Sequence, residues 1–218
     1  LTSLASYDEK IHDIMMGRKG SFARTVSAIE LLRKYNVSTS INMVVTKINA
    51  HQVYETGLLA EKLGAKVFAA TKASPPLGCA DYSAVQPSKE QVKKSLDDLI
   101  RLRNDKGISV DIFECYPLCF FGDISKYQFF ARRRCSAGVT SGTIGSDGGF
   151  RPCSHSNRIY GNIFDESIEN IYSRMTEWRT GELLPEKCMD CRYVARCSGG
   201  CRCEAEYSSE ICGMDPYS

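Results

Sequence analysis

The stretch Cys188-Met189-Asp190-Cys191-Arg192-Tyr193-Val194-Ala195-Arg196-Cys197-Ser198-Gly199-Gly200-Cys201-Arg202-Cys203, with Cys212 a little further on, decides how the rest of the chain is read. Thiols set this densely around a Ser-Gly-Gly turn read as metal ligands rather than as ordinary core. The chain of 218 residues holds 11 cysteines against 3 histidines. The cysteine count is odd, and all but Cys79 fall between residues 115 and 212. Secreted disulfide scaffolds are usually shorter and poorer in core, so this pattern points to thiols kept reduced as ligands in a cytoplasm. An apolar content of 43% supports a real core. A net charge of +2 offers no nucleic-acid face, and no apolar run approaches the length of a membrane span. The start, Leu1-Thr2-Ser3-Leu4, lacks the layout of a signal peptide and suggests a piece of a longer protein.

Upstream of the cysteines the hydrophobic period alternates. Leu1–Ser6 reads as a strand end, and Asp8 as the cap of a helix to Met16. Ser21 reads as the cap of an amphipathic helix carrying Phe22, Val26, Ile29 and Leu32. Val37–Val45 and Lys66–Thr71 read as strands, Val53–Leu63 as a helix ended by Gly64, Pro87-Ser88 as the start of a helix to about Asn104, and Val110–Phe113 as a strand. Strands alternating with helices over residues 1–113 argue for a parallel sheet with helices packed outside. About three parallel strands make part of a barrel rather than a closed one, with ligands expected at the strand ends near Ser3, Thr46 and Thr71–Gly78. Over residues 114–218 strands shorten and cysteine rises. Cys115–Cys119 reads as an extended loop, Ser146-Asp147-Gly148-Gly149 as a hairpin turn, and residues 167–178 as a helix.

The cysteine spacings bring a family into view. Cys135 is followed by twelve residues, Gly148, four residues and Cys153; then come Cys188-x2-Cys191-x5-Cys197-x3-Cys201 and Cys212. This resembles the SPASM domain of radical S-adenosylmethionine (SAM) enzymes, matching six of its seven cysteine positions and the glycine. The first part is similar to the second half of the radical SAM barrel: Ser3-Leu4, His12-Asp13, Gly17-Arg18-Lys19-Gly20-Ser21-Phe22 and Ile41-Asn42-Met43-Val44-Val45-Thr46 stand where such enzymes read S-L-D-G, H-D, R-G-x-x-G-S-F and I-N-x-V-V-T. The resemblance implies an α/β fold, the C-terminal part of a partial (β/α)6 TIM-like barrel followed by a small α+β SPASM domain.

It also implies iron–sulfur clusters held by thiolates, four for each cubane. Carried over, one auxiliary [4Fe–4S] cluster takes Cys119, Cys135, Cys153 and Cys201, with Cys115 the rival of Cys119. The other takes Cys188, Cys191, Cys197 and either Cys212 or an open position. The family's last cysteine follows an Asp-Pro-x unit, and after Asp215-Pro216-Tyr217 this chain has Ser218. Ser3 and Asn42 match barrel residues that contact SAM in the family, although strand-end hydrogen bonding explains them as simply. Met16 replaces an arginine that commonly holds the SAM carboxylate, and Ser3-Leu4-Ala5-Ser6 departs from S-L-D-G. The C-x3-C-x2-C loop of the SAM-cleaving cluster does not occur in these residues, so that [4Fe–4S] cluster and SAM itself belong to a longer enzyme whose N-terminal half lies outside this sequence.

Plainer readings stand beside these. Structural zinc prefers paired C-x2–4-C units, which the x5 and x3 spacings fit poorly. Cys203 and Cys79 read as buried thiols, with hydrogen-atom donation the sharper idea for Cys79. His155 reads as a hydrogen-bonding neighbour, His12 as a packed or capping histidine, Trp178 as packing, and Arg132-Arg133-Arg134 as a solvated turn that could also attract an acidic leader peptide. The function implied is a radical SAM oxidoreductase acting on a ribosomally made peptide, by hydrogen abstraction and thioether or carbon–carbon crosslinking. Its partners would be the precursor peptide or protein and a reductant such as flavodoxin or ferredoxin. Sulfatase maturation and peptide epimerisation are the enzymatic alternatives. A non-catalytic electron-transfer or docking fragment, or a zinc module, is the alternative of another class.

Overall fold

The computed structural model describes residues 1–78 and 81–218; the ideas about Cys79 lie outside the described residues. The chain divides into two compact units. The first is Leu1–Ala73 with Ser83–Phe113, and the second is Ser74–Tyr82 with Glu114–Ser218.

In the first unit, strands β1 (Thr2–Ser3), β2 (Ser40–Val45), β3 (Val67–Lys72) and β4 (Ser109–Asp111) form one sheet in the order β1-β2-β3-β4. All pairings are parallel, so the sheet has four strands rather than about three. Helices α1 (Glu9–Met15), α2 (Ser21–Lys34), α3 (Val53–Lys62) and α4 (Lys89–Lys106) make the crossovers. Register puts Ile41, Phe68 and Val110 side by side on one face of the sheet. These three are buried, as are Val53, Ala60, Leu96, Leu99 and Leu102 of the helices. At Gly57 of α3 there is no room for a methyl group: a Cβ would lie 2.3 Å from Leu102 Cδ2 and 3.0 Å from the Phe68 ring. The opposite face carries Ser3, Asn42, Ala69 and Asp111 in one row, and Thr71 Oγ1 donates to Asn42 Oδ1 at 2.7 Å. A parallel sheet is normally covered on both faces; here helices cover one, and a polar row marks the other.

The helix ends follow from sequence with one exception. Asp8 Oδ1 accepts the Ile11 N–H, and Ser88 and Gln91 form a reciprocal capping box on α4. Ser21, expected as the cap of α2, is instead its first helical residue, and the preceding Gly20 makes no side-chain cap bond. Asp13 does that work from α1. Its carboxylate accepts the Gly20 N–H, the Ser21 hydroxyl at 2.7 Å and the Phe22 N–H at 2.9 Å. His12 beside it is fully buried, edge-on to Phe22, and burial pushes its imidazole below the usual range.

The second unit has short elements: α5 (Leu118–Phe121), an antiparallel sheet of β5 (Thr143–Ile144), β6 (Gly149–Arg151) and β7 (Gly161–Asn162), and helices α6 (Ile168–Ser173), α7 (Glu177–Thr180), α8 (Glu186–Met189), α9 (Val194–Cys197) and α10 (Arg202–Ser208). Residues 167–178, expected as one helix, divide into α6 and α7. The sheet packs a small core of Phe150, Ile171 and Met175 against Tyr160, Tyr172 and Trp178. Trp178 also donates its indole N–H to Tyr160 Oη at 2.8 Å.

Candidate metal centre

The second unit sorts its thiols into two sets. Cys115 stands beside Cys135 and Cys201, while Cys203 stands beside Cys201 and meets Cys153 across 3.4 Å. Five thiols from four separate segments therefore form one chain of contacts. The contacts to Cys135 and Cys201, with burial, push the Cys115 thiol well up, and those to Cys153 and Cys201 do the same for Cys203. Cys135 is correspondingly held below the ordinary thiol range by its bond with Cys115. Cys153 falls to about 7, chiefly through Cys203, with burial opposing and the His155 backbone N–H assisting. A low-pKa thiol is the form a metal takes up. His155 thus serves as a hydrogen-bonding neighbour, and its ring Nδ1 meets the Pro75 carbonyl oxygen at 3.1 Å.

The other set lines a cavity of about 190 Å³: Cys119, Cys188, Cys191 and Cys197, with Tyr193, Met214 and Ser218 among the further wall residues. Cys188 feels Cys197, Cys119 and Cys191, and Cys119 feels Cys197, as neighbouring charges; burial first and these neighbours next push the Cys188 and Cys119 thiols up. The Leu118 N–H donates to Cys197 Sγ at 3.2 Å. Among the described residues no three His, Cys, Asp or Glu side chains converge on a single ion-binding point. Ligands of a cubane each bind a different iron, so they surround a volume rather than a point, and four thiols in one cavity wall fit an iron–sulfur cluster in their donor chemistry.

Cys119 is thus not brought to Cys135, Cys153 and Cys201, and Cys115 is. The local reason is Pro117, extended at φ −61° and ψ 137°, which starts α5. That turn buries Leu118, Phe120 and Phe121 and leaves Cys119 on its exposed side, while Cys115, before the proline, stays in the interior. Cys212 does not line the cavity; its thiol donates to the Glu182 carbonyl at 3.7 Å. Cys203, read as a buried thiol, is buried and meets Cys153 directly.

Cys197 and Cys201 reach different sets although only three residues separate them. Those residues, Ser198, Gly199 and Gly200, all take positive φ, at 54°, 74° and 84°. A side chain on Gly200 would stand 2.5 Å from Asp215 Oδ2, the atom that accepts the Cys201 N–H at 2.7 Å. Two residues that sequence reasoning passed over hold this turn. One is Asp215, buried, which also accepts the Tyr217 N–H at 2.8 Å. The other is Arg202, buried, whose guanidinium donates to the carbonyls of Leu183 at 3.2 Å, Ile211 at 3.0 Å, Gly213 at 2.9 Å and Gly199. An arginine directly after a cysteine of the C-x3-C pair was the available signal, since only its planar fork serves several carbonyls at once. Arg134 donates to the Ala195 carbonyl in α9, so this member of the basic triplet has a structural partner.

In the first unit, Ser3 and Asn42 are register partners on the polar row of the sheet. Ser6, where the family has glycine, is buried and donates to Gln52 Oε1.

Residues 135–192 match the family model of SPASM, an iron–sulfur cluster-binding domain. The PqqA peptide cyclase of Gluconobacter oxydans is 26% identical over 223 residues, covering 92% of this chain and 58% of its own length. The subtilosin biosynthesis protein AlbA of Bacillus subtilis is 28% identical over 212 residues, covering 91% and 43%. The AdoMet-dependent heme synthase of Methanosarcina barkeri is 26% identical over 227 residues, covering 93% and 62%. The crystal structure of Streptococcus suis SuiB superposes with a TM-score of 0.74 at 17% identity, over 98% of this chain and 53% of that one. Its complex with the precursor peptide SuiA gives 0.72 at 18% identity, over 98% and 52%. The polypeptide is therefore of the class whose α/β unit, part of a TIM-like barrel, is followed by a cysteine-rich iron–sulfur domain. Its residues 135–192 carry the SPASM match, it is similar to the curated relatives over about nine-tenths of its own length, and it spans about half the length of those relatives. No helix among the described residues is long and apolar enough to cross a membrane.

Proposed function

We propose that this chain is the C-terminal part of a radical SAM enzyme that modifies a ribosomally made peptide or protein. Residues 1–113 would supply the second half of the barrel and residues 114–218 the domain holding two auxiliary [4Fe–4S] clusters. The observation that carries this reading is the sorting of interleaved cysteines into two sets, one around Cys115, Cys135, Cys153 and Cys201 and one around Cys188, Cys191 and Cys197. When bound, such clusters supply a one-electron acceptor for a substrate radical. The chain's own residues hold the ligand loops. Asp215 fixes the Cys201 backbone, Arg202 gathers four carbonyls, and the left-handed turn keeps the two sets apart. The polar row Ser3–Asn42, on the sheet face away from the helices, is where SAM and substrate would lie. The names of the relatives and the peptide complex of SuiB favour a peptide substrate, and a thiol-based site favours a reducing cytoplasm with flavodoxin or ferredoxin as electron donor.

The test uses the full-length protein purified without oxygen. Two auxiliary clusters should appear in iron and sulfide analysis, with SAM cleavage to 5′-deoxyadenosine under reduction. Peptides encoded beside the protein should lose two hydrogens in mass spectrometry. Cleavage without modification of any peptide, but with turnover of a tetrapyrrole, would replace the peptide reading by one like that of the heme synthase.

A further inference from the structure

We propose that Cys119 is the fourth thiolate of the second cluster, in place of the cysteine that the SPASM pattern puts after Asp-Pro-x. The inference rests on the iron–sulfur reading above and goes beyond it in naming the ligand that closes the site. Four observations meet on it.

Cys119 lines the same cavity as Cys188, Cys191 and Cys197. The turn that carries it is docked on a ligand, through the Leu118 N–H on Cys197 Sγ at 3.2 Å. Ser218, which stands where the pattern has its last cysteine, lines that cavity too, so Cys119 and Ser218 face one volume from two segments. The competing assignments are used elsewhere: Cys212 donates to the Glu182 carbonyl, and Cys115 joins Cys135 and Cys201, so the first set reaches four thiols, with Cys203 besides, without Cys119. A cubane takes four thiolates, and the cavity offers four. The consequence is chemical. A cluster ligated by four cysteines has no iron free to hold a substrate sulfur, so the second cluster is an electron carrier and not a binding site.

The test is made in the full-length protein with Cys115→Ala and Cys135→Ala, which leaves the second auxiliary cluster beside a SAM-cleaving cluster that is the same in every variant and is subtracted. There, Cys119→Ala should lower iron and sulfide by up to one cluster's worth or leave a three-iron cluster, seen by electron paramagnetic resonance in the oxidised protein. Cys188→Ala should do the same, and Cys212→Ala should leave content and spectrum unchanged. Adding Ser218→Cys to Cys119→Ala should restore the four-iron cluster, because it returns a thiol to the same cavity; a merely misfolded variant would not recover. Full iron and an unchanged spectrum in Cys119→Ala, or loss in Cys212→Ala instead, would overturn the assignment. A wild-type protein that binds no auxiliary iron would fail earlier, at the cluster reading, and would take the assignment with it.

Discussion

Replacing Gly200 by alanine tests whether the left-handed turn between the two thiol sets is held as described. The position has φ 84°, and an added Cβ would lie 2.5 Å from Asp215 Oδ2 and 3.0 Å from Asp215 Cβ. The backbone conformation alone costs an alanine about 1–2 kcal/mol. The clash adds to this, because Asp215 is buried and cannot retreat without releasing the Cys201 N–H, a charge-assisted bond whose loss costs about 1.5–3 kcal/mol. The sum is about 2.5–5 kcal/mol. Gly181 is the internal control. It lies in the same unit at φ 90°, but its added Cβ would meet only Leu184 Cδ1, at 3.2 Å, the far end of a side chain that can rotate. Gly181→Ala should therefore cost about 1–2 kcal/mol. At about 3 °C per kcal/mol, thermal unfolding of the full protein at equal iron loading should place Gly200→Ala about 5–9 °C below Gly181→Ala. Equal midpoints would refute the claim that Asp215 is locked against Gly200.

Other outcomes follow from the same structure. Asp13 has its carboxyl held at about 2, chiefly by the Phe22 N–H and then the Ser21 hydroxyl. A carboxylate with a lowered folded value stabilises above its unfolded value near 3.9 and loses that contribution as pH falls toward 2. Asp13→Asn should therefore flatten the decline in stability of the first unit between about pH 4 and pH 2, read by circular dichroism; an unchanged acid transition would show that the three bonds do not hold α2. Leu102→Ala, at a fully buried position packed toward Gly57, should cost about 2–5 kcal/mol in urea unfolding. Arg202→Lys should cost about 2–4 kcal/mol, because an ammonium cannot serve four carbonyls in a planar fork; a melting point within a degree of wild type would remove Arg202 from its organising role.

The first unit was legible because its signals are local and agree. Asp8, Ser88 with Gln91, and the alternation through Ile41, Met43 and Val45 each specify an element without help from distant residues. Ser21 misled because a serine before an amphipathic run is a cap by local rules, whereas Asp13, eight residues earlier, outbids it through tertiary structure. The second unit was legible in its spacings and much less in its pairings. The family resemblance carried by the spacings implies that Cys188, Cys191 and Cys197 go together. It does not show that Pro117 turns Cys119 away from Cys115, nor that Cys212 faces the Glu182 carbonyl. Those outcomes depend on which side of a one-turn helix is buried by Leu118, Phe120 and Phe121, a long-range packing result. Arg202 and Asp215 escaped for the same reason: each is a polar residue whose purpose lies in backbone groups far along the chain.

The Ser198–Gly200 turn also acts as a ruler. Cys197 and Cys201 are four residues apart, so their Cα atoms can never be separated by more than about 14 Å, whatever else the protein does. If each carries a cluster as proposed, the electron's step between the two centres has an upper length written into the covalent chain. Domain motion, substrate binding or partial unfolding elsewhere leaves that ceiling where it is, and inserting residues between Ser198 and Gly200 would raise it.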